Sequence, residues 1–398
     1  MLAFAGALAV AGCGSSGDSG DSGSSGSEGG SSDPLKIGMV MGFTGPTNGF
    51  DGPVANGVKV AVDDFNAEGG IDGRKIELIE SDTKSDIKQV PAAAQAALDK
   101  GAEVIITSCD YDFGGPAARE ATKVGKFAIG CAGDPLFGRE GLGELTFNTL
   151  GPTPVEAGVI AATAEEQGWK NAFLLQDTSI QYSKRGCTYI DEALKASGVG
   201  IADTETFLNS DSSISPQVSA IKSSDADVVV LCSYNPGATS AVRQIRAAGI
   251  DLPIMGMVGG DGRVISGGVK NLNDYYYLSA GSLRADSPNK RQRELGKAYD
   301  ELTNGGLAES PDGQPLMGYA AIETIAKAIE GAGSTDGQAM ADIVKKFDNE
   351  ELITGPTSYS EECHTPFERP FAVATVENGK ASIVEERVTP INVPDSPC

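Results

Sequence analysis

A single histidine, His364, serves the whole 398-residue chain. A catalytic triad built on histidine would have to use it, and a site of several histidines around a metal is excluded. His364 stands in Cys363-His364-Thr365-Pro366, which reads as a surface loop. Basic residues are scarce too: 31 Lys and Arg face 55 Asp and Glu, for a formal net charge of -24. Nucleic acid needs the opposite sign, and so does adhesion to anionic lipid headgroups. Acidic surfaces keep exported proteins soluble. No G-x-G-x-x-G follows the first strand, and neither a P-loop nor G-x-S-x-G is present. Asp110 and Asp112 share one loop, which is weak ground for acid–base work, so no enzyme, cofactor or metal is expected. No apolar run reaches the roughly 20 residues a bilayer span needs.

What is present begins with an export pattern. Met1 to Gly12 carries no charge and is nearly all apolar or small, a length that suits the apolar part of a signal peptide. Val10-Ala11-Gly12-Cys13 resembles a bacterial lipobox, in which the cysteine thiol receives a diacylglyceryl group. Each buried CH₂ then adds about 0.8 kcal/mol of membrane affinity. Gly14 to Ser32 is almost entirely Gly, Ser, Asp and Glu. Such a segment cannot offset its ordering entropy by burial. It reads as a flexible tether reaching roughly 25 Å. The expectation is an extracytoplasmic protein held to the bacterial membrane through lipidated Cys13 alone.

Six cysteines remain after Cys13, and no two are spaced C-x-x-C. An even number in an oxidising compartment suggests disulfides. Six cysteines allow fifteen pairings. Sequence order suggests Cys109 with Cys131, Cys187 with Cys232, and Cys363 with Cys398. The first would link the ends of two successive strands, and the third would pin the C-terminus.

Hydrophobic content of 40% over this length supports two domains of ordinary size. Leu35 to Met41 is an apolar strand. Val54, Val58, Ala61, Val62 and Phe65 then fall at helical spacing, until Gly69-Gly70 stops the helix. Lys75 to Glu80 reads as a strand, Pro91 to Lys100 as a helix, and Val104 to Thr107 as a buried strand. Asn171 to Asp177, Ala226 to Cys232 and Pro253 to Met257 continue the pattern. Continuous apolar runs mean strands covered on both faces, hence βαβ units on parallel sheets. The region 288–331 reads as helical, with Leu295, Ala298, Tyr299 and Leu302 on one stripe and Leu316, Tyr319, Ile322, Ile325, Ala326 and Ile329 on another. Phe371 to Val376 and Ala381 to Glu385 flank Asn378-Gly379, a hairpin signal.

The stretch from Asn66 to Leu78, with Glu68-Gly69-Gly70-Ile71-Asp72-Gly73-Arg74 at its centre, resembles the branched-chain amino acid (Leu/Ile/Val) binding-protein family of bacterial solute-binding lipoproteins. Gly42-Phe43-Thr44-Gly45-Pro46, Gly130 to Pro135, and Leu174-Leu175-Gln176-Asp177 with Tyr182 behind it extend the resemblance over nearly all the chain from 34 onward. The resemblance implies an α/β type I periplasmic-binding-protein fold: two Rossmann-like lobes with parallel sheets joined by a three-stranded hinge. Lobe one would hold 34–150 plus 286–354, and lobe two 152–283 plus 356–398. The Leu150-Gly151-Pro152 break suits a hinge, and closure would trap a ligand. It also implies partners: a small-molecule ligand, and the permease and ATPase of an ABC importer served by a monomer. The same fold serves as a sensor domain, so a ligand-sensing lipoprotein feeding a signalling partner is the alternative.

Ligands in such sheets sit at the carboxyl ends of strands, beside helix N-termini. That rule gathers Phe43, Thr44, Phe50, Ser108, Asp110, Tyr111, Asp112, Ala132, Gly133 and Asp134 from lobe one. From lobe two it gathers Asp177, Ser179, Tyr182, Ser233, Tyr234, Asn235 and Asp261. The resemblance places Phe50, Tyr182 and Tyr234 against the ligand. It also marks a departure. Amino-acid-binding members grip the α-carboxylate with a hydroxyl residue and a threonine, where this chain has Asp110 and Gly133. A carboxylate at Asp110 would repel an anionic group unless it turned away. Asp110 either faces the cleft and binds an amine, amide or hydroxyl, or it (or Asp112) caps the helix entered near Gly115-Pro116. Asp261 is the nearest acid to the position expected for a ligand ammonium.

Overall fold

The computed structural model describes residues 33–387, apart from 262, 267, 268, 270, 271, 286 and 309–311. The expected export signal, Cys13, the tether up to Ser32, and Cys398 lie outside the described residues.

The first sheet holds β1 (Leu35–Met41), β2 (Ile76–Asp82), β3 (Val104–Thr107), β4 (Phe127–Gly130) and β5 (Thr146–Asn148). Their order is β2-β1-β3-β4-β5, and every pair is parallel. Alternation along each strand feeds two cores. Ile37, Met39 and Met41 of β1 join Val104, Ile106, Phe127 and Ile129 on one face. Val40, Ile105 and Ala128 point to the other. The first face is covered by α1 (Asn48–Glu68) through Val54, Val58 and Ala61. The second is covered by α2 (Val90–Asp99) and α3 (Tyr111–Lys123) through Ala94, Ala97, Ala117 and Ala121. A single turn, α4 (Arg139–Leu142), precedes β5.

The second sheet takes β6 (Asn171–Asp177), β7 (Gly200–Phe207), β8 (Val228–Cys232), β9 (Ile254–Gly256) and β10 (Tyr275–Ser279). One face packs on α5 (Thr153–Gln167) and α6 (Gln181–Ala196), the other on α7 (Ser215–Ser223) and α8 (Gly237–Ala247). A short turn, α9 (Arg263–Ser266), follows β9. The chain then returns to the first sheet's side as α10 (Lys290–Thr303), α11 (Gln314–Ala332) and α12 (Gly337–Val344). A small hairpin of β11 (Glu350–Leu352) and β12 (Gly355–Thr357) leads to β13 (Phe371–Glu377) and β14 (Lys380–Arg387). Those last two join the second sheet antiparallel, in the order β14-β13-β10-β9-β8-β6-β7. The chain thus passes between the sheets three times, as the family resemblance implies. At the β13–β14 turn Asn378 and Gly379 take φ of 52° and 70°, the two left-handed residues a tight hairpin needs.

Two readings of the sequence are corrected. His364 is not on the surface: it is 1% exposed, its ring stacks on Phe147 at 4.1 Å, and Nδ1 lies 3.0 Å from the Thr146 carbonyl oxygen. The segment is a loop, but it is the third crossing and it lies against β5. Leu302 sits on the expected stripe yet is 41% exposed, because α10 is covered only along Leu295 and Tyr299.

Helices α1 and α11 lie backbone to backbone. A Cβ on Gly57 would overlap the Pro315 carbonyl oxygen, and one on Gly318 would overlap that of Val54. Alanine is the better helix former by about 1 kcal/mol, but overpacking costs about 1–3 kcal/mol. Gly57→Ala is therefore expected to lower the urea midpoint, with the slope unchanged.

Candidate functional site

The carboxyl ends of six strands converge on one narrow cavity. Cys109 and Asp110 follow β3, Cys131 and Gly133 follow β4, and Leu150 follows β5. Ile180 and Tyr182 follow β6, Tyr234 follows β8, and Val258 and Gly259 follow β9. Phe50 from α1, Arg263 from α9, and Gln314 and Met317 from the start of α11 complete the wall. About 50 Å³ inside is open to a water-sized sphere. Larger hollows of about 260 Å³, around Asp64, Arg291 and Tyr319, and about 320 Å³, around Asn289, Gln292 and Thr354, lie elsewhere. Neither gathers the ends of several strands, so the smaller cavity is the candidate site.

Asp51, in the first turn of α1, sets the lobe-one wall. Its fully buried carboxylate accepts from Gly42 N at 2.8 Å, Ser108 Oγ at 3.0 Å and Cys109 N at 3.1 Å. The loops after β1 and β3 are thereby tied to one helix turn. Burial raises its pKa to about 6 against those bonds. Ser108 is spent on this joint and does not line the cavity. Phe43 and Thr44 also lie off it, and their N–H groups bond to Asp82 at 3.0 and 3.2 Å. A disulfide joins Cys109 to Cys131 with Cα atoms 4.4 Å apart, so it binds the loops after β3 and β4 and forms part of the lining. A second joins Cys187 of α6 to Cys232 of β8.

Asp110 caps a helix and also lines the cavity. It is the N-cap of α3, one turn earlier than Gly115-Pro116: Oδ1 accepts from Asp112 N at 2.8 Å and Phe113 N at 3.2 Å. Oδ2 is buried and has no hydrogen-bond partner among the described residues, on a side chain that lines the cavity. Burial, and then the neighbouring Asp112 charge, push its pKa up to about 8.

Other expected residues bind the lobes to each other. Arg185 Nη1 of α6 reaches both carboxylate oxygens of fully buried Asp134, at 2.7 and 2.9 Å. The Arg185 guanidinium also lies over the Tyr111 ring, 5.6 Å from its centroid. Gln181 N donates to Asp112 Oδ2 at 3.0 Å, and Thr153 N donates to the Gly133 carbonyl at 2.7 Å. Phe50 and Tyr234 meet edge to face across the cleft at 6.0 Å. Ala132 is buried in the lobe-one core. Asp177 holds Ser179 N, Ser233 Oγ and Asn209 Nδ2, a joint within lobe two. Asp261 lies behind Arg263: its Oδ1 accepts from Asn235 Nδ2 and from Arg263 Nε at 3.0 Å.

Sequence reasoning missed Glu156. It sits in the first turn of α5, fully buried. Its Oε2 accepts from Tyr182 OH at 3.0 Å and Val258 N at 3.2 Å, while Oε1 has no partner among the described residues. Burial pushes its pKa up to about 8. The only signal was an acid in a first helical turn, which more often complements the helix dipole at the surface. A Cβ on Gly133 would fall 2.6 Å from the Tyr182 ring and 3.1 Å from Glu156 Oε1, so no side chain fits there. Leu150, Gln314 and Met317 were also missed, because they come from a crossing and a returning helix. Among the described residues no group of three or more His, Cys, Asp and Glu is placed to hold a metal, and no helix is long and apolar enough to cross a membrane.

Comparison with known proteins gives one consistent relationship. Residues 34–381 match the periplasmic binding protein family. The Leucine-, isoleucine-, valine-, threonine-, and alanine-binding protein of Pseudomonas aeruginosa is 24% identical, with 83% of this chain and 87% of that protein covered. Leu/Ile/Val-binding protein homolog 3 of Brucella melitensis is 25% identical, covering 82% and 87%. Among solved structures, the branched-chain amino acid transporter substrate binding protein LivJ of Streptococcus pneumoniae, in complex with isoleucine, superimposes with a TM-score of 0.77 at 23% identity, covering 90% of this chain and 99% of that one. A solute binding protein from R. palustris in complex with benzoate gives 0.76 at 16% identity, covering 89% and 96%.

Asp110 and Glu156 give the fold a pH signature. Both hold a proton near pH 7 when folded and lose it near their ordinary values when unfolded. Between those values the unfolded chain binds fewer protons, so stability falls as pH rises. The ligand-free melting temperature is expected to drop from pH 5.5 to pH 8.5. Asp110→Asn and Glu156→Gln should each flatten that slope. Equal slopes in the wild type and both variants would refute the assignment.

Proposed function

Because the chain belongs to the periplasmic binding protein family, we propose that it is the extracytoplasmic substrate-binding lipoprotein of an ABC importer. It captures an amino acid or a related small polar molecule by closing its lobes. The family is one of transport proteins that bind substrates, not of enzymes. The observation that carries the reading is the cavity itself: its wall is shared between lobes that the chain crosses three times, so a guest placed there is enclosed only when the lobes meet. Pairs such as Asp134–Arg185 and Asp112–Gln181 hold the lobes together, and opening must break them. The permease and ATPase receive the loaded, closed form, and a monomer suffices for that delivery.

Phe50 and Tyr234 are proposed to flank the ligand's side chain, one from each lobe. The test starts with native mass spectrometry of the purified protein for a carried small molecule, followed by thermal shift with L-leucine, L-isoleucine, L-valine and small amides. A ligand at 100 times its dissociation constant stabilises by about 2.7 kcal/mol. Phe50→Ala and Tyr234→Ala are each expected to weaken binding at least tenfold, and ligand should reduce the radius of gyration in small-angle scattering. A cavity that carries nothing and responds to none of these would refute the reading.

The anchor is proposed to be Cys13, in Val10-Ala11-Gly12-Cys13. Metabolic labelling with palmitate should mark the wild type and not Cys13→Ser, and the variant should leave the membrane fraction. A label that persists in the variant would refute the anchor. Cys363 and Cys398 are proposed as a third disulfide.

A further inference from the structure

We propose that Asp110 is the anchor for the ligand, its second carboxylate oxygen receiving an ammonium or amide N–H, so that the pocket selects for a nitrogen-bearing end over a carboxylate. The inference rests on the cavity being the ligand site, and it adds which chemistry enters first and where it lands.

Helix capping does not explain an aspartate here. The cap of α3 uses Oδ1 alone, and asparagine or serine caps as well. What aspartate adds is Oδ2, which is buried, has no partner among the described residues and belongs to a side chain in the cavity wall that is 2% exposed. While burial keeps a proton on Asp110, Oδ2 carries it and lacks an acceptor; once the proton leaves, Oδ2 lacks a donor, and no described residue supplies either. The unmet bond is made only by a polar group arriving from the cavity.

The local field decides which group. Asp112 lies on the same helix, and Asp134 on the loop after β4 adds negative potential at Asp110. Tyr234, from the loop after β8, lines the same cavity and is kept a neutral phenol by burial first, and then by the charges of Asp177, Asp110 and Asp112. Tyr182 of α6 lines the same wall and is likewise held neutral. Arg185 is occupied by Asp134. Arg263 is the one cation among the described residues of the lining, and its Nε is paired with Asp261. An anion at Asp110 would meet like charge in a poorly solvated space, whereas a cation or an N–H dipole would meet its complement.

Binding a cation must also displace the proton that burial keeps on Asp110. Affinity for an ammonium ligand should therefore rise by roughly tenfold from pH 6 to pH 7 and level off above pH 8. Affinity for a neutral amide should change little over that range.

The experiment uses the full chain and matched probes: isopentylamine, isovaleramide and isovalerate, and phenethylamine, phenylacetamide and phenylacetate, measured by calorimetry at pH 6, 7 and 8. Amines and amides of at least one series are expected to bind and the carboxylates not. Asp110→Asn, which keeps the α3 cap, should weaken the amine at least tenfold and abolish its pH dependence, with a ligand-free melting temperature no lower than the wild type at pH 8. A carboxylate binding as tightly as its amine, or Asp110→Asn binding the amine unchanged, overturns the inference. So does a carried molecule, found by native mass spectrometry, that has no N–H group; that result leaves the capture reading standing. Silence across the whole panel, with nothing carried, sinks both.

Discussion

A parallel sheet covered by helices on both faces leaves only its ends open to solvent or to a guest. Everything at the candidate site follows from that constraint. Two such sheets are set so that the ends of β3, β4 and β5 face those of β6, β8 and β9. The loops there cannot fold back into either core, because the cores are already filled by Ile37, Val104 and Phe127 on one side and by Leu174, Val230 and Met255 on the other. Polar groups in those loops must satisfy each other or wait for something else. Asp51, taking three donors from two loops, is the first case. Asp110 and Glu156, each with one oxygen unmet, are the second.

The division between joints and open positions is sharper than the list of strand-end residues suggests. Ser108, Asp177 and Ser233 are all polar, buried and at strand ends, yet each is consumed by a neighbour within its own lobe. Tyr111, Asp112 and Asp134 are consumed across the lobes. What remains for a ligand is a mostly apolar box of Phe50, Leu150, Ile180, Tyr234, Val258 and Met317 with one acid at its edge. This is the usual make-up of a small-molecule pocket, in which few polar groups set orientation.

Many of the strands were readable because strands buried on both faces announce themselves as unbroken apolar runs; Val104 to Thr107 and Val228 to Cys232 needed nothing more. β7, with its Asp-Thr-Glu-Thr run, is a partly exposed edge strand and lacks that signal. Three-residue β5 is too short to show one. The site was half readable. Strand-end logic reaches Phe50, Asp110, Gly133, Tyr182 and Tyr234, and the family resemblance sets Phe50, Tyr182 and Tyr234 against the ligand. It cannot reach Met317 or Gln314, whose place depends on the chain returning to lobe one after a long absence. Nor can it say that His364 is buried, since that follows from the third crossing and not from the local residues.

Cys109 and Cys131 are both cavity lining and covalent partners. Two separate thiols would turn independently and let the loops after β3 and β4 breathe past one another. Bonded, they act as a single stiff tile beneath whatever enters, with Asp110 fixed at one margin and Gly133 near the other. The shape of the recess is therefore finished by oxidation and not by folding alone. A chain held under reducing conditions would have its sheets in place and its floor in two loose pieces.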